Sequence, residues 1–375
     1  MVKKEDSFED EMIDALSSSF KKQSSNAKAS YLWQSSSNIK DYISTGNPLL
    51  DMCLSNKPNG GLPVGRLTEI SGGEGAGKTL LASYVLANTQ KKGGIGIFID
   101  TEHAASMEVL KEVGVDTDKL VYVQCGCVEE VFAAMETIVG KIVASGAGKE
   151  RPITIVWDSV AATSTKAEVE GDYDQQTIAM AARVISKGLR KYIPLCSAHN
   201  VCLVFLNQLR TNISSFGHAE KFTTPGGKAI PYHASIRLRL SHYKKIKDPK
   251  TKDEIGREIK CEVKKNKIAP PMRTTYHTIR WGSKPGAWFD IGATLWEAGI
   301  TSGLFNKISA QKYGFITSEG EELEFTKKVF NDLVKDKNFY NEVVRLLEGY
   351  YIIGPDNAPD PDELIKEESD EDEGI

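Results

Sequence analysis

The stretch ISGGEGAGKTLL, residues 70–81, constrains this chain more than any other part of it. Within it Gly72-Gly73-Glu74-Gly75-Ala76-Gly77-Lys78-Thr79 fits the pattern GxxxxGK[ST], preceded by the apolar run LTEIS and followed by a helical pattern. Glycines in a strand–loop–helix turn let successive backbone N–H groups face one phosphate chain, and the helix N-terminus adds positive potential. Lys78 is placed to reach the β and γ phosphates, the Thr79 hydroxyl to ligate Mg²⁺, and Leu80 ends the phosphate-binding stretch. A nucleoside triphosphate is therefore expected. The use made of its hydrolysis is not given by this stretch.

Short apolar runs alternate with helical stretches from about residue 41, which predicts an α/β domain with a mainly parallel sheet. Strands are expected at 67–71, 94–100, 120–124, 152–158 and 201–208, and helices at 78–91, 106–113, 129–143 and 177–192. SIRLRLSHY (235–243) and GREIKCEVKKNK (256–267) alternate in strand fashion around a polar turn, predicting a hairpin. Four regions follow: an N-terminal helix and linker (1–40), the core (41–285), a small α+β domain (286–353) and an acidic, disordered tail (354–375). In the small domain, helices are expected over WFDIGATLWEAG and over TKKVFNDLVKDKNFYNEVVRLLEGY, with a short hairpin at 313–325. The N-terminal segment 7–22 spaces Phe8, Met12, Ala15, Leu16 and Phe20 on one helical stripe, and the serine- and asparagine-rich QSSNAKASYLWQSSSN (23–38) reads as its tether. Such a stripe needs a partner, either its own core or a neighbouring copy of the chain.

Charge is unevenly spread. Residues 356–375 hold ten acids and one lysine, while the chain as a whole has a net charge of only −4. Within 236–284 there are fifteen Lys/Arg against five Asp/Glu. A basic body with an acidic tail suits a polyanion-binding protein, and equally a solvated face with a solubilising tail. No apolar run nears the roughly 20 residues that span a bilayer, and the N-terminus lacks a signal-peptide core, so a cytoplasmic protein without a membrane partner is expected. The six cysteines form no CxxC pair and are expected to be reduced.

Two carboxylates complete the nucleotide reading. ITIVWDS ends its strand in Asp158, where a carboxylate can hold the Mg²⁺ shell. GIGIFID runs into Thr101-Glu102-His103, so Glu102 falls at the same sheet edge, either as a general base for the attacking water or as an acid favoured near a helix start.

Several separated strings together resemble the RecA-type homologous recombinases of bacteria and their phages: ISTGNPLLD (43–51), GGLPVGRLTEISGGEGAGKT (60–79), FIDTEH (98–103), DSVAATSTKAEVEGD (158–172), NQLR (207–210), TPGGKAI (224–230) and VKKNKIAPP (263–271). The resemblance covers about 41–350. It implies a RecA-like P-loop ATPase core and an ATP- and Mg²⁺-dependent filament on single-stranded DNA that pairs with homologous duplex DNA and exchanges strands. By the same resemblance Gln208 senses the γ-phosphate, and Lys265 and Lys267 reach the ATP of a neighbouring subunit. EGDYDQQTIAMAAR (170–183) corresponds to a first DNA loop, with Ile178 as a wedge between bases and Arg183 and Arg190 on the following helix. RTNISSFGHAEKFTTPGGKA (210–229) corresponds to a second, with Arg210 on phosphate, Ile213 as a wedge, and Gly226-Gly227 offering backbone N–H groups. Phe216 and Phe222 are aromatics for stacking on bases or folding onto the core. Single-strand-binding and mediator proteins are the accessory partners implied.

The chain departs from the family at the nucleotide base. Val109 stands where an aromatic stacks on adenine, Ser106 where many members carry an acid, and Trp281 is the residue able to compensate. Two rival classes remain: a RecA-fold motor or mediator ATPase, such as a ring helicase, and a DNA-coating protein with a degenerate nucleotide site. Lys78, Thr79, Glu102 and Asp158 argue against the last.

Overall fold

The structure is a computed structural model, and it describes residues 8–22, 29, 38–171, 180–211, 222–282 and 285–354. The described residues fall into two compact units that divide between residues 40 and 41. In the first unit α1 (Phe8–Lys22) has acids in its first turn and lysines in its last, as the helix dipole favours, and Phe8, Met12 and Leu16 are exposed. The expected tether at 23–28 and 30–37, and the tail from 355 on, lie outside the described residues.

The larger unit is built on a nine-stranded sheet. Its strands are β1 (Leu67–Gly72), β2 (Ile95–Asp100), β3 (Val121–Gln124), β4 (Ile153–Asp158), β5 (Val201–Gln208), β6 (Ile236–Lys247), β7 (Glu254–Asn266), β8 (Thr274–Trp281) and β9 (Ala287–Phe289), in the order β3-β2-β4-β5-β1-β6-β7-β8-β9. The strands from β3 to β6 in that order run parallel, and β7, β8 and β9 continue antiparallel.

Burial on both faces explains the unbroken apolar runs. Along β5, Cys202, Val204 and Leu206 pack against α3 (Lys78–Lys91), which contributes Leu81 and Val85, while Val201, Leu203 and Phe205 join the opposite core. That second core is filled by α5 (Val128–Ser145) and by α6 (Met180–Ala198). A strand covered on both faces has no solvent side, so its period-two signal disappears. Between these elements lie α2 (Pro48–Ser55), capped by the Asn47 side chain, and α4 (Met107–Val113), capped by Ser106.

The structure differs from the sequence expectations in four places. The helix expected at 177–192, α6, continues to Ala198 through Pro194, because its apolar stripe of Ile185, Leu189 and Tyr192 carries on to the buried Cys196. Trp288 and Phe289, expected to open a helix, form β9 instead, and α7 (Ile291–Thr301) starts only after Asp290 caps it. The long C-terminal helix is two, α8 (Lys327–Leu333) and α9 (Lys337–Tyr351), because Asp336 caps a new start by accepting from the Asn338 and Phe339 amides. The expected hairpin is present as Tyr313–Ile316 with Glu322–Phe325, and around it Trp296, Phe305, Phe315, Phe325 and Phe330 form an aromatic core of their own. Strand β8 was not expected at all; its polar threonines hide the alternation that β7 shows.

Candidate nucleotide site and nucleic-acid interface

Sheet register brings the nucleotide residues to one edge. Gly72, where β1 gives way to the glycine loop, pairs with Gln208, and Asp100 pairs with Asp158. All four stand at the carboxyl ends of parallel strands, where an open α/β sheet presents its ligand site. The loop then turns into α3 at Gly77, whose φ of +82° suits only glycine; a Cβ there would also lie 2.5 Å from Ile279 Cδ1.

Lys78 Nζ donates to the carbonyls of Gly72 and Gly73 at 3.0 and 2.8 Å, so the ammonium lies over the cradle it is expected to serve. Burial lowers its pKa, against the pull of Asp158, Glu102 and Glu74. Thr79 Oγ1 donates to Asp158 Oδ2 at 2.6 Å. The Asp158 carboxyl is pushed up to about 6, chiefly by burial and then by Glu102 and Asp100, with Thr79 and Lys78 opposing. A buried carboxylate surrounded by others is short of positive charge. One carboxylate and one hydroxyl side by side fit Mg²⁺, which keeps several waters and is shared with substrate phosphates rather than caged by protein. Among the described residues no group of three or more His, Cys, Asp or Glu side chains forms an all-protein metal cage.

Glu102 is exposed, and its Oε1 accepts from Ser159 Oγ at 2.5 Å. Its backbone is set by Asp100, whose Oδ1 accepts from the Glu102 and His103 amides and whose Oδ2 accepts from the Ala105 amide and the Tyr122 hydroxyl. Sequence reasoning passed over both Asp100 and Ser159. Only the acidic end of the IFID run hinted at the first.

Beside the glycine loop, Gly75, Gly77, Lys78, Thr79, Leu80, Ile279 and Trp281 line an open cleft of about 630 Å³ together with Arg257 and Gly286. Trp281 thus forms part of the cleft wall beside the glycine loop, its indole N–H donating to the Glu254 carbonyl. Val109 packs behind this wall, against Gly286, and the Ser106 hydroxyl is engaged as the cap of α4. Arg257 and His242 were not foreseen as neighbours of the loop. His242 Nε2 lies 3.0 Å from the Glu74 carbonyl oxygen, a proximity set by the hairpin register of β6 and β7.

Lys265 and Lys267 lie elsewhere. The end of β7 pairs with the start of β6, Ile236 with Asn266, which is the amino-terminal edge of the parallel strands. There Lys265 Nζ donates to the Pro231 and Tyr232 carbonyls at 2.6 and 3.2 Å, and Lys267 Nζ to Tyr232 at 3.3 Å.

The flanks of the two expected DNA loops converge. Arg183, Ser186 and Arg190 on α6 line a hollow of about 650 Å³ with Lys228, Tyr232 and His233. The Gly226-Gly227 turn packs against the start of α6 so closely that a Cβ on Gly227, at φ +71°, would lie 2.8 Å from Ala182 Cβ. Arg210 is exposed at the root of the second loop, where Arg210–Thr211 pairs with Phe222–Thr223. Phe222 lies under the Arg239 guanidinium, 4.2 Å from ring to carbon. Ile178, Ile213 and Phe216 lie outside the described residues. The six cysteines are free and buried, and no described helix is long and apolar enough to cross a membrane.

Residues 11–284 match the sequence model of the RecA N-terminal domain. Protein RecA of Helicobacter acinonychis (strain Sheeba) is 34% identical over 330 residues, 87% of this chain and 88% of that protein. Protein RecA of Wolbachia sp. subsp. Brugia malayi (strain TRS) is 39% identical over 308 residues, 81% of this chain and 79% of its own length. With a glycine loop, two strand-end carboxylates and the paired glutamine on one sheet edge, and relatives of this extent, the chain belongs to the RecA family.

Proposed function

We infer that this chain is an ATP-dependent homologous recombinase that forms a filament on single-stranded DNA, pairs it with homologous duplex DNA and exchanges strands. The observation that carries the reading is the division of cationic groups between the two edges of the sheet. Lys78 lies at the carboxyl edge beside Thr79 and Asp158, whereas Lys265 and Lys267 lie at the amino edge. Two lysines placed there cannot serve their own subunit's phosphates, so they suit a neighbour's.

In this reading Lys78 holds the β and γ phosphates, while Thr79 and Asp158 hold Mg²⁺, which offsets charge on the transferring phosphoryl group. Glu102, oriented by Ser159 and by the Asp100 turn, accepts the proton of the attacking water. Gln208 contacts the γ-phosphate, and Trp281 supports the base. Lys265 and Lys267 of the adjoining subunit complete the site, so DNA-dependent ATP hydrolysis requires assembly. Arg183, Arg190 and Arg210 meet phosphates, as do the Gly226-Gly227 amides, with Ile178 and Ile213 as apolar wedges. Contacts of this kind are blind to sequence and leave base edges free for pairing. The work is cytoplasmic, alongside single-strand-binding and mediator proteins.

A strand-exchange assay with purified protein, circular single-stranded DNA and homologous linear duplex tests the reading. Joint molecules are expected only with ATP and Mg²⁺, alongside long helical filaments in micrographs. ATP hydrolysis with closed rings and no joint molecules would move the chain to the motor class.

A further inference from the structure

A charged cluster lies beneath the nucleotide edge, and the phosphate chemistry makes no use of it. Glu69 sits on β1 three residues before Gly72 and is fully buried. Both of its oxygens are taken. Arg237 Nε, from β6, donates to Oε2 at 2.6 Å, and Asn207 Nδ2, from β5, donates to Oε1 at 3.0 Å. A carboxylate at this depth persists only when each oxygen is satisfied, so its partners are held in place by the cost of leaving it bare.

The two partners also grip the second DNA loop. Asn207 Nδ2 donates to the Pro225 carbonyl at 3.0 Å, and Arg237 Nη2 to Thr224 Oγ1 at 3.4 Å. Thr224 and Pro225 immediately precede the Gly226-Gly227 turn. On its other side Asn207 Oδ1 accepts from the backbone amide of Gln208 at 3.1 Å. One amide side chain therefore touches the residue that faces the nucleotide and the root of the loop that faces DNA. Arg237 is also the register partner of Lys265, across β6 and β7.

We propose that Glu69, Asn207 and Arg237 are positioning residues that carry the state of the nucleotide from Gln208 to the downstream root of the second DNA loop. The proposal rests on the reading of Gln208 as the γ-phosphate contact. A shift of the Gln208 amide moves the Asn207 side chain, and the Glu69–Arg237 pair restricts that side chain to arrangements that also move Pro225 and Thr224. A network satisfied at every atom transmits such a displacement, whereas a loosely solvated one absorbs it.

The test is the gain in affinity of the full-length protein for a fluorescent oligo-dT when a slowly hydrolysed ATP analogue and Mg²⁺ are added. Asn207→Ala and Glu69→Gln are expected to cut that gain about 10-fold, and Thr224→Val about 3-fold, with affinity for the analogue itself within about 3-fold of the parent. Thr224→Val leaves the core intact, so it reports even if the buried variants fold poorly. A gain unchanged in Thr224→Val and Asn207→Ala, while Gln208→Ala abolishes it, overturns the network and leaves the sensor standing. A gain that survives Gln208→Ala overturns the sensor and the network with it. Losses that only track a lower melting temperature and weaker analogue binding assign the cluster to stability alone, which also overturns the proposal.

Discussion

The two edges of the central sheet carry lysines in opposite circumstances. At the carboxyl edge Lys78 is partly buried, drawn by three carboxylates, and lies over the glycine loop. At the amino edge Lys265 and Lys267 meet backbone carbonyls, and burial and each other's charge hold Lys265 below its ordinary value. The first arrangement is a finished half of a phosphate site. The second is concentrated positive charge with no carboxylate as its ion-pair partner among the described residues, which suits an anion brought by another molecule. In the proposed filament one sheet supplies half of each of two sites, and stacking of copies completes both.

The comparison breaks most visibly at Lys78. Lys78→Ala is expected to weaken ATP binding by about 100-fold or more in a fluorescent-nucleotide titration. Retained binding would show that the cleft, not the loop, holds the nucleotide. At the other edge, Lys265→Ala with Lys267→Ala is expected to leave ATP affinity of the unassembled subunit nearly unchanged and to lower DNA-stimulated hydrolysis about 100-fold. Mixing the two mutant proteins sharpens the point, because an intact glycine loop from one then meets intact lysines from the other. Activity should return in the mixture, and a mixture as dead as its parts would place the lysines outside the site. Glu102→Gln should slow hydrolysis by roughly 100-fold while keeping ATP-dependent DNA binding, measured by anisotropy beside phosphate release. Equal loss of both would remove Glu102 from the general-base role.

The smallest expected effect concerns stability away from both edges. Asp51 is fully buried, and its carboxyl is raised to about 7 by burial, against hydrogen bonds from Ser44 and Thr45. Its folded form holds a proton that the unfolded chain has released, so it lowers stability as pH rises from about 4 to about 7. Buried His277, lowered to about 3, has the opposite sign: the unfolded chain gains a proton first, and stability rises with pH between about 3 and 6.5. The two slopes oppose each other in the parent. Asp51→Asn should uncover the histidine slope as a melting temperature that climbs more steeply from pH 4 to 6.5. An unchanged profile would mean that Asp51 is ionised in the fold.

Much of this was legible in sequence because it is local. The glycine pattern, the strand ending at Asp158 and the run ending at Asp100 are short signals, and the parallel strands have long apolar runs. The cap at Asp336, which splits the last helix, was equally local and was passed over in favour of the apolar period that spans it. Strand β8 was hidden for a different reason. Exposed Thr274 and Tyr276 alternate with Thr275 and His277, which like Thr278 are polar yet buried, so no hydropathy contrast marks its faces.

By itself the sequence determined that a phosphate-binding loop would join a strand to a helix, that the sheet would be mainly parallel, and which carboxylates would end its strands. Those outcomes follow from neighbours a few residues apart. Only the tertiary structure decided that Glu69, Asn207 and Arg237 meet, that Arg257 and His242 border the glycine loop, and that Lys265 and Lys267 stand at the far edge. Each depends on strand order and register, which join residues as far apart as 69 and 237, and no local pattern encodes a pairing of that span.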